Sequence, residues 1–510
     1  MKIERTKNAT RNIFFGVVVK IYQILGPFVL RTIFIYTLGM EYLGLNSLFT
    51  SILSVLNLVE LGVGSAMVFS MYKPIAEDNK EKICALMALY KFYYRIIGLV
   101  ILVLGLIILP FVPKLITGTV PEDINIYILY LLNLSATVLS YWLFAYKNSL
   151  LSAHQRNDIS SKITLIISTI QYIIQAVLLI LVGNYYLYLV VTIITTVLTN
   201  IITSIIVTKK YPQYKAKGKL DKKEISTINH RVMDLFTARL GGVVVNSADS
   251  IVISAFLGLT LLGMYNNYYY ILSSVMGFIS IIFNSCMAGI GNSLVTESLD
   301  KNYKDFRVMT FVVTWLIHIS TVCFLCLYQP FMYMWVGKGT MFDMLVVIMF
   351  CIYFYVCELS MIWATYKDAG GIWHEDRFRP LIGATVNLIL NIFFVKVIEI
   401  GMYGILLSTI VSYVCISMPW LINNLFKIMF KRNYREYVFE TIKHMFWTAI
   451  SCGITYGICS MVPVTGITQI VLNFIMCMTI PNLLLYIVFR KTEEFKCALG
   501  MVKRVFHLGG

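Results

Sequence analysis

Residues 12–74 read NIFFGVVVKIYQILGPFVLRTIFIYTLGMEYLGLNSLFTSILSVLNLVELGVGSAMVFSMYKP. Two apolar runs, Asn12 to Tyr36 and Leu43 to Met71, each exceed the ~20 residues with which a helix crosses ~30 Å of hydrocarbon. Both are predicted to be membrane spans. They carry charge at depth: Lys20 and Arg31 in the first run, Glu60 in the second. Each would cost about 2.5–3.5 kcal/mol facing lipid. Lys20 and Arg31 are eleven residues apart, which on a helix is three turns plus about 20°, so they share a face with Gln23, Ile24 and Pro27. That face is expected to look on water, another helix or an anionic ligand. Gly26-Pro27 lies between the two cations and is predicted to act as a hinge, because proline removes a backbone hydrogen bond.

The rest of the 510 residues extends this reading. With 58% hydrophobic and 13% charged residues and a mean hydropathy of +0.77, the chain is predicted to be an all-α polytopic membrane protein. Lys2, Arg5, Lys7 and Arg11 precede the first run as in a signal peptide, but the run is too long and lacks a small-residue cleavage site, so it is read as a retained span. A net charge of +16 raises the question of nucleic acid. The basic residues fall in short blocks between spans, as in positive-inside loops, and no nucleic-acid partner is expected.

About 14 transmembrane helices are predicted. Further spans fall near 90–112, 124–150, 159–182, 185–208, 231–257, 264–292, 307–330, 341–366, 380–397, 402–426, 444–462 and 466–489. Sorting the 42 Lys and Arg residues onto alternating sides places 36 on the side of the N-terminus. Lys114, Lys338 and Lys396 fall on the other side, and Lys20, Arg31 and Arg239 at depth. This asymmetry predicts both termini in the cytoplasm. The expected organisation is a six-helix lobe (1–208), a basic cytoplasmic linker (209–230), a second six-helix lobe (231–426), and two extra helices with a basic tail (427–510).

The two lobes repeat at an offset of 219 residues: Leu38-Gly39-x-x-x-Leu43-Gly44 matches Leu257-Gly258-x-x-x-Leu262-Gly263, and Lys20 falls on Arg239. Gly26-Pro27 is echoed near Gly241-Gly242, a second predicted hinge. Breakers in corresponding spans of two repeats point to a transporter's substrate pathway. Lys20 and Arg239 are candidate ligands for an anionic group, with an internal ion pair, Lys20 to Glu60, as the alternative. Arg31 is a weaker third candidate because it lies near the end of its helix.

Several motifs resemble the polysaccharide-exporting flippases of the multidrug/oligosaccharidyl-lipid/polysaccharide (MOP) superfamily. They are Arg11-Asn12 with Gly16, Leu30-Arg31 followed by Leu38-Gly39-x-Glu41-Tyr42-Leu43-Gly44-Leu45-Asn46, Glu60-Leu61-Gly62-x-Gly64, and Tyr72-Lys73-Pro74. The resemblance implies a flippase that moves an undecaprenyl-diphosphate-linked oligosaccharide to the outer leaflet of the bacterial cytoplasmic membrane, by alternating access through a cationic cavity. It also implies membrane lipids, a polysaccharide polymerase and glycosyltransferases as partners. The alternative is a cation-coupled exporter of small molecules from the same superfamily, but the first span lacks the acidic residue typical of those exporters.

Glu60, Asp249, His318 and Glu358 are intramembrane ionisable groups and candidates for gating or proton coupling. Arg31 and Asp249 are expected at one depth, which makes them a candidate gate pair. The run Tyr265-Asn266-Asn267-Tyr268-Tyr269-Tyr270 reads as an interfacial aromatic belt. No nucleotide-binding or zinc-protease motif is present. Cys323-x-x-Cys326 has no second pair, so no metal, cofactor or catalytic residue is expected.

Overall fold

The computed structural model describes residues 5–118, 120–462 and 466–505. The side chains of 5–17, 234, 237–239, 242, 246, 288 and 501–505 lie outside the described residues. Every element is helical: α1 (Arg5–Thr37), α2 (Met40–Leu56), α3 (Val63–Ala76), α4 (Lys80–Ile108), α5 (Ile126–Trp142), α6 (Asn148–Ala153), α7 (Asn157–Leu181), α8 (Tyr185–Lys210) and α9 (Lys222–Val252). Then follow α10 (Leu259–Thr296), α11 (Leu299–Val336), α12 (Met344–Ala369), α13 (Arg379–Ile392), α14 (Met402–Ser412), α15 (Met418–Asn424), α16 (Arg435–Ser460), α17 (Ile467–Phe489) and α18 (Glu493–Val505). The chain divides into two compact units, Met1–Gly263 and Met264–Gly510.

Among the described residues, eleven helices are long and apolar enough to cross a membrane, and twelve if the pair α5 and α6, bent by 47°, forms one span. The two further expected spans are α9 and α16. Only Val243–Leu257 is strongly apolar in the first. The second is diluted by Lys443 and His444 and by polar side chains that it buries, Tyr437, Thr448, Ser451 and Thr455. Composition is therefore compatible with fourteen spans without fixing that number.

Within the first unit, α1 packs along α7, α7 on α8, α8 on α5, and α9 on α2 and α3. The Gly26-Pro27 site sits inside an unbroken helix, α1. A Cβ on Gly26 would come within 2.5 Å of the Tyr172 ring, so this glycine permits close packing of α1 on α7. The second span, by contrast, is broken where no break was expected. A 3-10 turn at Asn57–Glu60 precedes Gly62, whose φ of 90° is a conformation that glycine adopts without strain. A Cβ there would also lie 2.7 Å from Leu235 and 2.8 Å from the Val232 carbonyl oxygen, so α9 approaches the break closely.

Asn79, Asn125, Asn184 and Ser298 cap α4, α5, α8 and α11 by accepting hydrogen bonds from backbone N–H groups of the first turn. Helix α9 begins at Lys222, inside the predicted linker, because its first turns are polar and hydropathy does not register them. Helix α18 was expected as a basic tail. It is amphipathic, and Phe495 and Ala498 join Val308, Phe311, Leu485 and Phe489 in a core of the second unit.

Candidate functional site

The break between α2 and α3 leaves Glu60 beside a cavity of about 510 Å³ lined by Gly64, Ser65, Tyr72, Tyr90, Tyr94 and Asn148 among others. Tyrosines surround the carboxylate. The Tyr94 hydroxyl donates to Glu60 Oε1 at 3.2 Å, the Tyr90 hydroxyl donates to that of Tyr94 at 2.6 Å, and Tyr141 meets Tyr94 edge-on with centroids 5.4 Å apart. The Tyr141 hydroxyl donates to Asn57 Oδ1 at 3.3 Å, tying the break to α5. The sequence offered no direct signal for this cage, since its tyrosines come from two other helices.

Of the predicted cations, Lys20 and Arg31 are both half-buried on α1. No described ion pair joins Lys20 to Glu60, and Lys20 does not line the Glu60 cavity. Arg31 lies within electrostatic range of Tyr188, which packs edge-on against Phe34 with centroids 5.3 Å apart. Arg239 and Gly242 lie on α9 but outside the described side chains. Gly241 and Asp249 are buried on the same helix.

In the second unit, His318 and Glu358 are buried on α11 and α12. His318 Nδ1 lies 2.8 Å from Thr448 Oγ1 on α16. The Trp363 indole donates to the Tyr437 hydroxyl at 2.6 Å, joining α12 to α16. Cys326, Cys459 and Cys477 converge with their sulfur atoms within 4.8 Å of one another. Sequence spacing could not reveal this group, because it draws on three helices far apart in the chain. Val322, Cys452 and Met476 enclose it, a setting that suits thiols packed as small apolar groups. The tyrosine run at the start of α10 is not an interfacial belt, since Tyr265 and Tyr268 are buried. Tyr268 packs against Tyr328 and Phe350 at 5.3 and 5.7 Å, because that face of the helix turns into the protein.

A broken-helix array of this kind, with charged side chains inside apolar helices, defines a polytopic membrane transporter fold. The sequence model of the family described as polysaccharide biosynthesis protein matches residues 9–287, and the chain belongs to that family. Its fold is similar to the lipid II flippase MurJ in an inward closed conformation, at TM-score 0.67 and 16% identity, covering 94% of this chain and 99% of that one. It is also similar to an inward-facing multidrug resistance MATE family transporter of the MOP superfamily, at TM-score 0.64 and 12% identity over 81% and 98% of the two chains. A third likeness is to a MOP superfamily transporter from Pyrococcus furiosus whose binding pocket is described as having reverse polarity, at TM-score 0.54 and 13% identity over 84% and 97%. A comparison with curated protein sequences gives no significant match.

Proposed function

We propose that this protein flips an undecaprenyl-diphosphate-linked oligosaccharide from the cytoplasmic to the outer leaflet of a bacterial cytoplasmic membrane, with both termini cytoplasmic. The observation that carries the reading is the pair of half-buried cations, Lys20 and Arg31, on one helix of a chain in a polysaccharide biosynthesis family. Lys and Arg both suit the phosphate oxygens of a diphosphate. Arg239 is the counterpart from the second repeat. In this reading the lobes 1–208 and 231–426 rock about the linker 209–230, Gly26-Pro27 and Gly241-Gly242 flex, and Arg31 and Asp249 form the outer gate. The helices beyond 427 hold the lipid tail. A polymerase and glycosyltransferases act on either side of the transport step. Because moving an anion outward is favoured by ~2.3 kcal/mol per charge per 100 mV, the membrane potential helps drive it.

The tyrosine-caged Glu60 supports a second reading, a cation-coupled exporter of small molecules, because a carboxylate in a polar cavity suits a cationic guest. Reconstitution separates the two. In liposomes holding the purified full chain and a fluorescent undecaprenyl-diphosphate oligosaccharide, the flippase reading expects rapid exposure of the label to a membrane-impermeant quencher. Transport of a small cationic dye with no lipid flipping would overturn it in favour of the exporter.

A further inference from the structure

Most of the buried side-chain atoms that lack a hydrogen-bond partner among the described residues line one seam of the second unit. They include Arg307 Nε, Thr310 Oγ1 and His318 Nε2 on α11, the Tyr355 hydroxyl on α12, and Ser451 and Thr455 Oγ on α16. The buried residues of α16 fall three, four or eleven apart, so they form one face, and α16 packs on α11. A buried polar atom left unsatisfied costs about 1–3 kcal/mol. A set of them concentrated along one helix interface is the signature of bound water.

Room for that water exists at the charged end of the seam. A cavity of about 70 Å³ has Arg307, Glu440, Lys443 and Glu494 around it, with Thr314 and His444 deeper in. It shares Phe311, Thr314 and His444 with a smaller space of about 10 Å³ that reaches His318. One water needs about 10–15 Å³ on such a measure, so the larger space holds several waters and the smaller is close to the size of one.

The hydrogen bonds around His318 assign its tautomer. Thr448 has one hydroxyl proton, and it is donated to the His444 carbonyl at 2.9 Å. Thr448 Oγ1 therefore accepts from His318, whose Nδ1 is 2.8 Å away. Neutral His318 thus carries its proton on Nδ1, and Nε2, buried and without a protein partner, holds a bare lone pair on a ring that lines the smaller space.

We propose that His318 Nε2 is a proton-binding site reached through water from the charged mouth at Arg307, Glu440 and Glu494. A proton from bulk water passes along the file beside His444 onto the Nε2 lone pair. The imidazolium so formed keeps its Nδ1–H bond to Thr448. The ionisable groups lining the two spaces are Tyr437, Glu440, Lys443 and His444 on α16, Arg307 on α11 and Glu494 on α18, with Tyr355 of α12 near Thr448. Packing from α17 is apolar, through Leu485 and Phe489. Tyr355 approaches Thr448 without completing a hydrogen bond, which leaves its hydroxyl free to bond water when the seam is charged. This site goes beyond the flippase reading and does not depend on it.

The test uses the full chain, labelled with [15N]histidine, in liposomes. Six histidines are present, and the His318 signal is assigned by its loss in His318→Gln, or in His318→Asn if the first variant does not fold. Nitrogen NMR from roughly pH 8 to pH 4 is expected to show an Nδ1–H tautomer that gains a proton at Nε2, with magnetisation transfer from water to the ring. Thr448→Val is expected to abolish the tautomer preference. An Nε2–H tautomer in the wild type, or a ring that neither titrates nor exchanges with water, would overturn the proposal.

Discussion

Gly44 and Gly263 occupy reciprocal positions: a Cβ on Gly44 would overlap the Leu259 carbonyl oxygen, and a Cβ on Gly263 would overlap the carbonyl oxygen of Met40. Each contact is the other shifted by 219 residues. Gly39 and Gly258, five residues before them, share one backbone conformation, with φ and ψ of 104° and 177° in the first and 98° and 168° in the second. The internal repeat is thus a local two-fold exchange of contacts between the first turns of α2 and α10. Adding a methyl group at either site forces backbone apart, so Gly44→Ala and Gly263→Ala should each lower stability by about 1–3 kcal/mol. Gly453→Ala, with no atom within 4 Å of its Cβ, should be neutral or slightly stabilising, since alanine is the better helix former. Thermal unfolding of the three purified variants checks this. Equal loss in all three would remove the close-approach argument.

The cationic face of α1 sets a second expectation. A charge-assisted hydrogen bond is worth about 1.5–3 kcal/mol, so Lys20→Ala should slow lipid flipping by about tenfold or more at normal membrane levels of the protein, and Lys20→Arg should be milder. Unchanged flipping by Lys20→Ala would show that the cation serves the helix and not the substrate.

Glu60 and Tyr94 form a different kind of site. Replacing Tyr94 with phenylalanine removes a donor to Glu60 Oε1 and should cost about 1 kcal/mol. Glu60→Ala, which strips the acceptor from the half-buried Tyr94 hydroxyl, should cost about 1 kcal/mol, and Glu60→Gln less. Should Glu60→Ala leave the unfolding temperature unchanged, the cage would have no structural role.

His154, at the end of α6, packs at a tilt against Tyr211 and Tyr214 with centroids 4.5 and 5.7 Å away, and its Nδ1 meets the Leu150 carbonyl at 2.9 Å. Burial holds its pKa below the ordinary histidine value of 6.5. The unfolded chain therefore binds the proton more readily, so His154 contributes stability above pH 6.5 that is lost as the pH falls through its folded pKa. Unfolding temperature against pH should decline on acidification less steeply in His154→Gln than in the wild type. Parallel curves would exclude His154 as the source.

Single cysteines in a cysteine-free background test the sidedness. Cysteines at Lys114 and Lys338 should react with an impermeant thiol reagent in intact cells, and those at Lys217 and Arg432 should not. Labelling at Lys217 from outside would overturn the assigned orientation.

Membrane class, helical architecture, the repeat and the family were legible in the sequence, because each depends on features that any local window carries. Hydrophobic length specifies a span wherever the span is placed, and the repeat of Leu38-Gly39 and Gly44 at Leu257-Gly258 and Gly263 needs no neighbours to be seen. What a charged or polar side chain meets was not legible. An ion pair of Glu60 with Lys20 was the alternative that depth in the membrane allowed, yet depth says nothing of azimuth or of a helix break. The fold sets the carboxylate against Tyr94 at a turn that Gly62 makes possible. Pro27 was read as a hinge from its chemistry, and the packing of Tyr172 on Gly26 gives that site a tertiary role within a continuous helix. The polar face of α16 was present in the sequence at helical spacing, but only the approach of α11 decided that it is buried and that His318 and Thr448 share a hydrogen bond. Apolar length acts through the solvent and is encoded residue by residue. Pairing of polar groups acts over a few ångströms, and those few ångströms exist only after distant helices have packed.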